Sequence, residues 1–247
     1  MEDVFLYHGS RGGIIGKIKP ISREACDFGK GFYMGTNPMQ AKGIVNEDSC
    51  PVFYEMKLKL SEIPEDRILR LSGSDWVFAI LANRRRLDVI NNSWISPYWI
   101  NRLKDYDVVI GEIADDRMNE AMRRFSAYGL TDKGLEACLK SVNYGQQYVL
   151  KSQFACDKVE ILSEHEIMGQ EAEQVRKYTI DRRNEGKNIV DQMSVKYMRQ
   201  GKYLNEMMES LHLDIPNKIV VEGDTNPQEE NRENKNESEE EDHGPSL

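Results

Sequence analysis

Apolar and polar residues alternate most regularly at residues 53–60. There Tyr54, Met56, Leu58 and Leu60 fall on one side, and Glu55, Lys57 and Lys59 on the other. That period of two, following Pro51, predicts a half-buried strand. Shorter apolar runs at 4–7, 148–150 and 158–162 predict further strands, and 106–114 predicts a buried one ending at Asp115-Asp116. Between them the period lengthens. Residues 74–84 predict an amphipathic helix with Ser74 as its N-cap. Residues 118–128 predict a helix closed by Gly129, and Thr131 caps the next, which runs through Leu135 and Leu139. From about 172 to 213 the pattern is helical, with Ile189, Met193 and Tyr197 four apart, and likewise Tyr203, Met207 and Leu211. The polar interval 181–188, containing Gly186, predicts a break or bend in that run.

Strands interleaved with helices over the first two thirds give an α+β class. Three regions follow: a mixed domain over 1–164, a helical extension over 165–221, and a tail over 222–247. The tail holds most of the charge. Of the chain's net −9, −8 lies in residues 222–247, so the body is close to neutral. Dense like charge with little apolar surface does not repay the entropy of ordering, and the tail is expected to be disordered. The basic clusters Arg84-Arg85-Arg86 and Arg182-Arg183 can then face a polyanion, or simply water.

No stretch is apolar enough to span a bilayer, and the acidic start Met1-Glu2-Asp3 has neither a signal nor a transit pattern; a cytoplasmic location is expected. Cys26, Cys50, Cys138 and Cys156 have no CxxC spacing. The four histidines are scattered, so no metal site is expected and the thiols read as unpaired. Gly9, Gly12 and Gly13 do not make the GxGxxG of a dinucleotide fold.

Two short segments carry the candidate chemistry. Tyr7-His8-Gly9-Ser10 ends the first apolar run with an imidazole beside a residue that has no Cβ. Asp27-Phe28-Gly29-Lys30-Gly31-Phe32-Tyr33-Met34 is a glycine-rich turn feeding a strand with an aromatic ring. A third, later segment is Gln146-Gln147-Tyr148-Val149-Leu150. In this order the segments resemble the three NAD-gripping elements of the ADP-ribosyltransferase superfamily. The run Gly29 to Met34 is similar to the Gly-Lys-Gly-Ile-Tyr-Phe of the poly(ADP-ribose) polymerases. The whole of 4–162, with Trp76-Val77-Phe78 to Asn83-Arg84 and Tyr106-Asp107 to Asp115-Asp116, resembles a bacterial, toxin-like branch of that superfamily.

The resemblance implies a split β-sheet core of two small, roughly orthogonal sheets, with NAD+ as substrate in the cleft and no metal. His8, Tyr33 and Gln147 are the implied catalytic residues. His8, Gly9, Ser10, Phe28, Gly31, Tyr33 and Arg84 are the implied NAD contacts. Gly9 would hold the nicotinamide carboxamide through its backbone, Tyr33 would stack on the ring, and His8 and Ser10 would bond ribose hydroxyls. Gln147 stands where the polymerases have glutamate. A carboxamide can bond the ribose 2′-hydroxyl but brings neither charge nor a base. The expected activity is therefore mono-ADP-ribosyl transfer to a protein or nucleic-acid acceptor that is intrinsically nucleophilic or is activated by another residue. A neutralising partner protein is a further implication. Two alternatives stand beside it: a catalytically inactive module binding NAD, ADP-ribose or a protein, and an RNA 2′-phosphotransferase, which the scarcity of histidines disfavours.

Overall fold

The structure is a computed structural model that describes residues 2–22, 25–84, 94–113, 116–141 and 145–214. Residues Met1–Met208 form one compact unit and Glu209–Leu247 a second, of which only 209–214, the end of a helix, are described. The acidic tail, Arg85, Arg86 and Asp115 lie outside the described residues.

Seven strands make one mixed sheet in the order β4-β5-β6-β2-β1-β3-β7. They are β1 (Val4–Ser10), β2 (Phe32–Gly35), β3 (Val52–Leu58), β4 (Ile68–Arg70), β5 (Val108–Glu112), β6 (Gln146–Leu150) and β7 (Val159–Glu166). Only β4 and β5 run parallel. Among the described residues the helices are α1 (Pro38–Val45), α2 (Gly73–Arg84), α3 (Ile95–Arg102), α4 (Asp116–Ser126), α5 (Asp132–Ser141), α6 (Gln153–Cys156), α7 (Gly169–Tyr197) and α8 (Leu204–Asp214). The architecture is α+β, as the alternation of patterns predicts. The strands form a single hydrogen-bonded sheet, not two separate ones. Its weakest seam is central: β1 pairs with β3 along its full length, but with β2 only through Tyr7↔Gly35.

Alternation along the strands decides what each face carries. One face buries Leu6, Phe32, Met34, Tyr54, Met56, Leu58, Tyr148 and Leu150 in a continuous apolar cluster. The other carries Tyr7, which packs with Phe53, Ala41, Val45 and Ile167 beneath α1.

Three local expectations differ from the structure. Helix α2 is not amphipathic: Trp76 through Asn83 are all buried, because α2 lies between the sheet and α3. Trp76 Nε1 donates to Glu112 O on β5 at 2.9 Å, fixing that packing. The helix begins at Gly73, with φ +54, so Ser74 lies inside its first turn and is not the cap. Helix α7 runs unbroken for 29 residues through the polar interval around Gly186. Buried Val175 and Val190 anchor it on either side of that interval, and it packs on α1, α4 and α5. One internal glycine costs about 1 kcal/mol of helix propensity, less than such burial returns. Thr131 does cap α5, accepting from Gly134 N at 3.2 Å.

Candidate functional site

The three segments singled out by sequence occupy β1, β2 and β6, which are neighbours in the sheet. Antiparallel register sets Gly35 opposite Gln147 and Tyr33 opposite Val149. Since paired and i±2 residues share a face, Tyr33 and Gln147 point to the same side. His8 alternates with Tyr7 and Gly9 and points to the other, onto Phe32 (ring centroids 4.4 Å apart) and towards Tyr54 (6.2 Å). Two of the three candidate side chains are thus brought together, and the third meets them only at the seam.

At that seam β1 and β2 part beyond Tyr7↔Gly35, and His8 bridges the gap. Its Nδ1 lies 2.7 Å from Tyr33 O. A carbonyl can only accept, so Nδ1 carries the proton and Nε2 is left with a lone pair. Burial lowers the His8 pKa from 6.5, against the opposing pull of the Tyr33 carbonyl, so the ring is neutral at neutral pH. Beside it, a Cβ on Gly9 would lie 2.3 Å from Ala41 O and 3.0 Å from Val45 Cγ2. Only glycine lets β1 pass this close beneath α1. Ser10 Oγ donates to Gly13 O at 3.0 Å, bracing the following loop.

Tyr33 is tied to the glycine turn that precedes it. Its hydroxyl donates to Gly29 O at 2.7 Å and accepts from Phe28 N at 3.0 Å. Burial, then the nearby Asp27, raises its pKa well above 10.0, so the phenol stays protonated. Lys151, just past β6, holds the same turn from the far side, its Nζ donating to Phe28 O at 2.5 Å and Lys30 O at 2.6 Å. Burial lowers this ammonium to about 8. Gly29 adopts φ +72, which glycine allows without strain. The turn also presses on the sheet: a Cβ on Gly31 would lie 2.6 Å from Val149 Cγ1.

Phe28 and Arg84, also expected as NAD contacts, likewise have partners within the chain. The Phe28 side chain is fully buried, and a Cβ on Gly111 would lie 2.7 Å from both Phe28 Cζ and Trp76 Cδ1. Its ring is a wedge between turn and sheet. Arg84, expected near phosphate, directs Nε and Nη2 to Asp27 Oδ1 at 2.7 Å, with only 12% and 14% of the two side chains exposed. Gln147 is buried, and its Nε2 donates to Asp27 Oδ2 and to Glu112 O, each at 2.9 Å.

Asp27 and Lys151 were missed as site residues. Asp27 opens the glycine-rich run, and its being the one acid in that run was the available signal. Lys151 had none beyond following a strand. Among the described residues, no three His, Cys, Asp or Glu side chains gather as a metal-ligand set. No described helix is long and apolar enough to cross a membrane. A small pocket of about 100 Å³ is lined from α2, α4, α5 and Met207 of α8, and none of the sequence-predicted site residues lines it.

A family model described as Protein of unknown function (DUF3990) matches residues 4–161, the stretch that holds all seven strands but the end of β7. No curated protein and no solved structure gives a significant match.

Proposed function

The chain belongs to the DUF3990 family, and for it we propose NAD+-dependent mono-ADP-ribosyl transfer. The observation that carries this reading is the opened seam between β1 and β2. There a neutral His8 is hydrogen-bonded to Tyr33 O, beside a Gly9 that accepts no side chain, while Tyr33 and Gln147 share the adjoining face. NAD+ would cross the sheet at this seam, the place where groups on both faces can be reached. His8 Nε2 accepts from a ribose hydroxyl, the Gly9 backbone meets the carboxamide, and the Tyr33 ring stacks on the pyridinium. Gln147 Oε1 accepts from the hydroxyl next to the reacting carbon, and Ser10 borders the same end of β1.

The bond between nicotinamide nitrogen and ribose C1′ breaks, and its electron pair leaves with neutral nicotinamide. The acceptor's oxygen or nitrogen forms the new bond to C1′ and gives its proton to solvent. The carboxamide at 147 is not itself a base for a hydroxyl, so the acceptor, protein or nucleic acid, brings its own nucleophilicity. The bacterial, toxin-like character implied by the resemblance, with a neutralising partner, belongs to this same proposal.

A second reading is a module of the same fold that holds NAD or ADP-ribose without transfer. It is favoured by Gln147, which brings no negative charge to a developing cation. Incubating the full chain with adenylate-labelled NAD+ and bacterial lysate separates the two. Transfer predicts label on macromolecules that nuclease or protease releases, and its loss in His8→Ala. Saturable NAD+ binding without label supports the module, and absence of both overturns either reading.

A further inference from the structure

We propose that Asp27, held by Arg84, is a positioning residue that fixes the carboxamide of Gln147 with its nitrogen inward and its oxygen as the ligand-facing acceptor. The inference rests on the transfer reading only in taking the ligand's donor to be a ribose hydroxyl. Both hydrogens of Gln147 Nε2 are engaged, one by Asp27 Oδ2 and one by Glu112 O. Neither partner has a proton to offer, so the amide cannot turn over: Oε1 in place of Nε2 would put an acceptor 2.9 Å from two others. Oε1 itself accepts no hydrogen bond among the described residues. Asp27 is in turn fixed, because two Arg84 nitrogens close on Oδ1 and leave Oδ2 for the amide.

This makes position 147 a place built for glutamine. An ionised glutamate would set a carboxylate oxygen against both the Asp27 carboxylate and the Glu112 carbonyl. It would be driven to keep its proton, a like charge and burial acting together. The charged and polar groups facing residue 147 are Asp27 on the turn, Arg84 on α2 and the Glu112 carbonyl on β5; Tyr33 on β2 adds its hydroxyl near Asp27.

The test is a double-substitution cycle read by thermal unfolding across pH, with NAD+ calorimetry alongside. Gln147→Glu is expected to melt below the wild type, and to lose further stability as pH rises above the ordinary glutamate range, where the unfolded side chain ionises but the folded one resists. Asp27→Asn keeps an oxygen for Arg84 and turns an NH2 group towards residue 147. In its background Gln147→Glu should cost less and show a shallower pH slope. A merely structural Asp27 instead predicts additive losses. Additive losses, or a Gln147→Glu variant whose melting tracks the wild type at every pH, overturn the proposal. Should Asp27→Asn not fold, the pH slope of Gln147→Glu alone decides. For ligand, Asp27→Asn is expected to weaken NAD+ about tenfold, because Gln147 now turns its NH2 group outward. If the wild type binds no NAD+, the transfer reading fails while the unfolding cycle still decides Asp27.

Discussion

The two faces of the central strands are built by different means. Towards the apolar cluster, Leu6, Met34, Met56, Leu58 and Leu150 are almost completely buried, and packing alone holds them. On the opposite face, around Tyr33 and Gln147, the structure is held by hydrogen bonds and one largely buried ion pair. Its links reach far along the chain: Gln147 meets Asp27 across 120 residues, Lys151 meets Phe28 across 123, and Arg84 meets Asp27 across 57. Losing a methyl on the first face leaves a cavity that neighbours partly fill. Losing a partner on the second strands a polar group where water has little access. The polar face is therefore the less forgiving one, and the ligand-binding geometry proposed here depends on it.

Arg84→Ala should break that face most severely. It leaves the Asp27 carboxylate mostly buried and without its ion pair, and removing one member of a buried pair costs about 3–5 kcal/mol. Equilibrium unfolding in urea should show the midpoint fall with the slope unchanged. A loss near that of an exposed surface charge would mean that the network is solvated and the contrast between faces is false.

Gly9→Ala comes next, with an expected loss of about 1–3 kcal/mol from overpacking. The new methyl would sit 2.3 Å from the Ala41 carbonyl, and backbone on both sides cannot step aside as a flexible side chain would. The same substitution is expected to abolish NAD+ binding in calorimetry, since α1 and β1 must separate. Unchanged melting and affinity would show that β1 and α1 have slack.

Lys151→Met tests the far side of the glycine turn. Two carbonyls, Phe28 O and Lys30 O, lose their donor, for a cost of about 1 kcal/mol. Burial lowers the ammonium from 10.5 to about 8 in the folded chain. Unfolding therefore takes up a proton within that window, and the stability tied to this group falls as pH drops through it. NMR titration of the lysine side chains should find one midpoint near 8, missing in the variant. A spectrum in which all lysines titrate in the ordinary range would contradict the burial argument.

The same contrast explains what could be read from sequence. Strict alternation at 53–60 located β3, because a strand with one buried face records its burial in every second residue, and continuous apolar runs located β1, β5, β6 and β7. Helix α5 was legible from Thr131, whose cap is a local bond. What was not legible was tertiary. Nothing local tells that α2 is covered on all sides, or that Val175 and Val190 carry α7 past Gly186. At the site, His8, Gly9, Tyr33 and Gln147 were named from motif order, and they do fall on adjoining strands. The period of two of any strand turns His8 away from Tyr33 and Gln147, and motif order does not record that. Asp27 escaped notice because its role lies in partners 57 and 120 positions away. Phe28, named as a contact, is packed against Gly111 and Trp76, and a ring beside a glycine turn looks the same in sequence whether it faces ligand or core.

His8 gives the smallest effect and the finest test, because it is the polar residue set against the apolar face. Its neutral form is favoured in the folded chain, with burial as the main cause and the pKa displaced below 6.5. A base whose folded pKa is depressed contributes stability that is present above its unfolded pKa and lost as pH falls towards the folded one. Melting temperature should accordingly decline as pH drops below about 6.5, steeper in the wild type than in His8→Asn. The asparagine amide still donates to Tyr33 O, as Nδ1 does, but takes up no proton in this range. In the wild type, the imidazole resonances of His8 should titrate at a midpoint below that of a solvated histidine. If instead they titrate above it, the ring is charged at the seam, Nε2 is a donor, and it is no longer the acceptor through which a ribose hydroxyl is held.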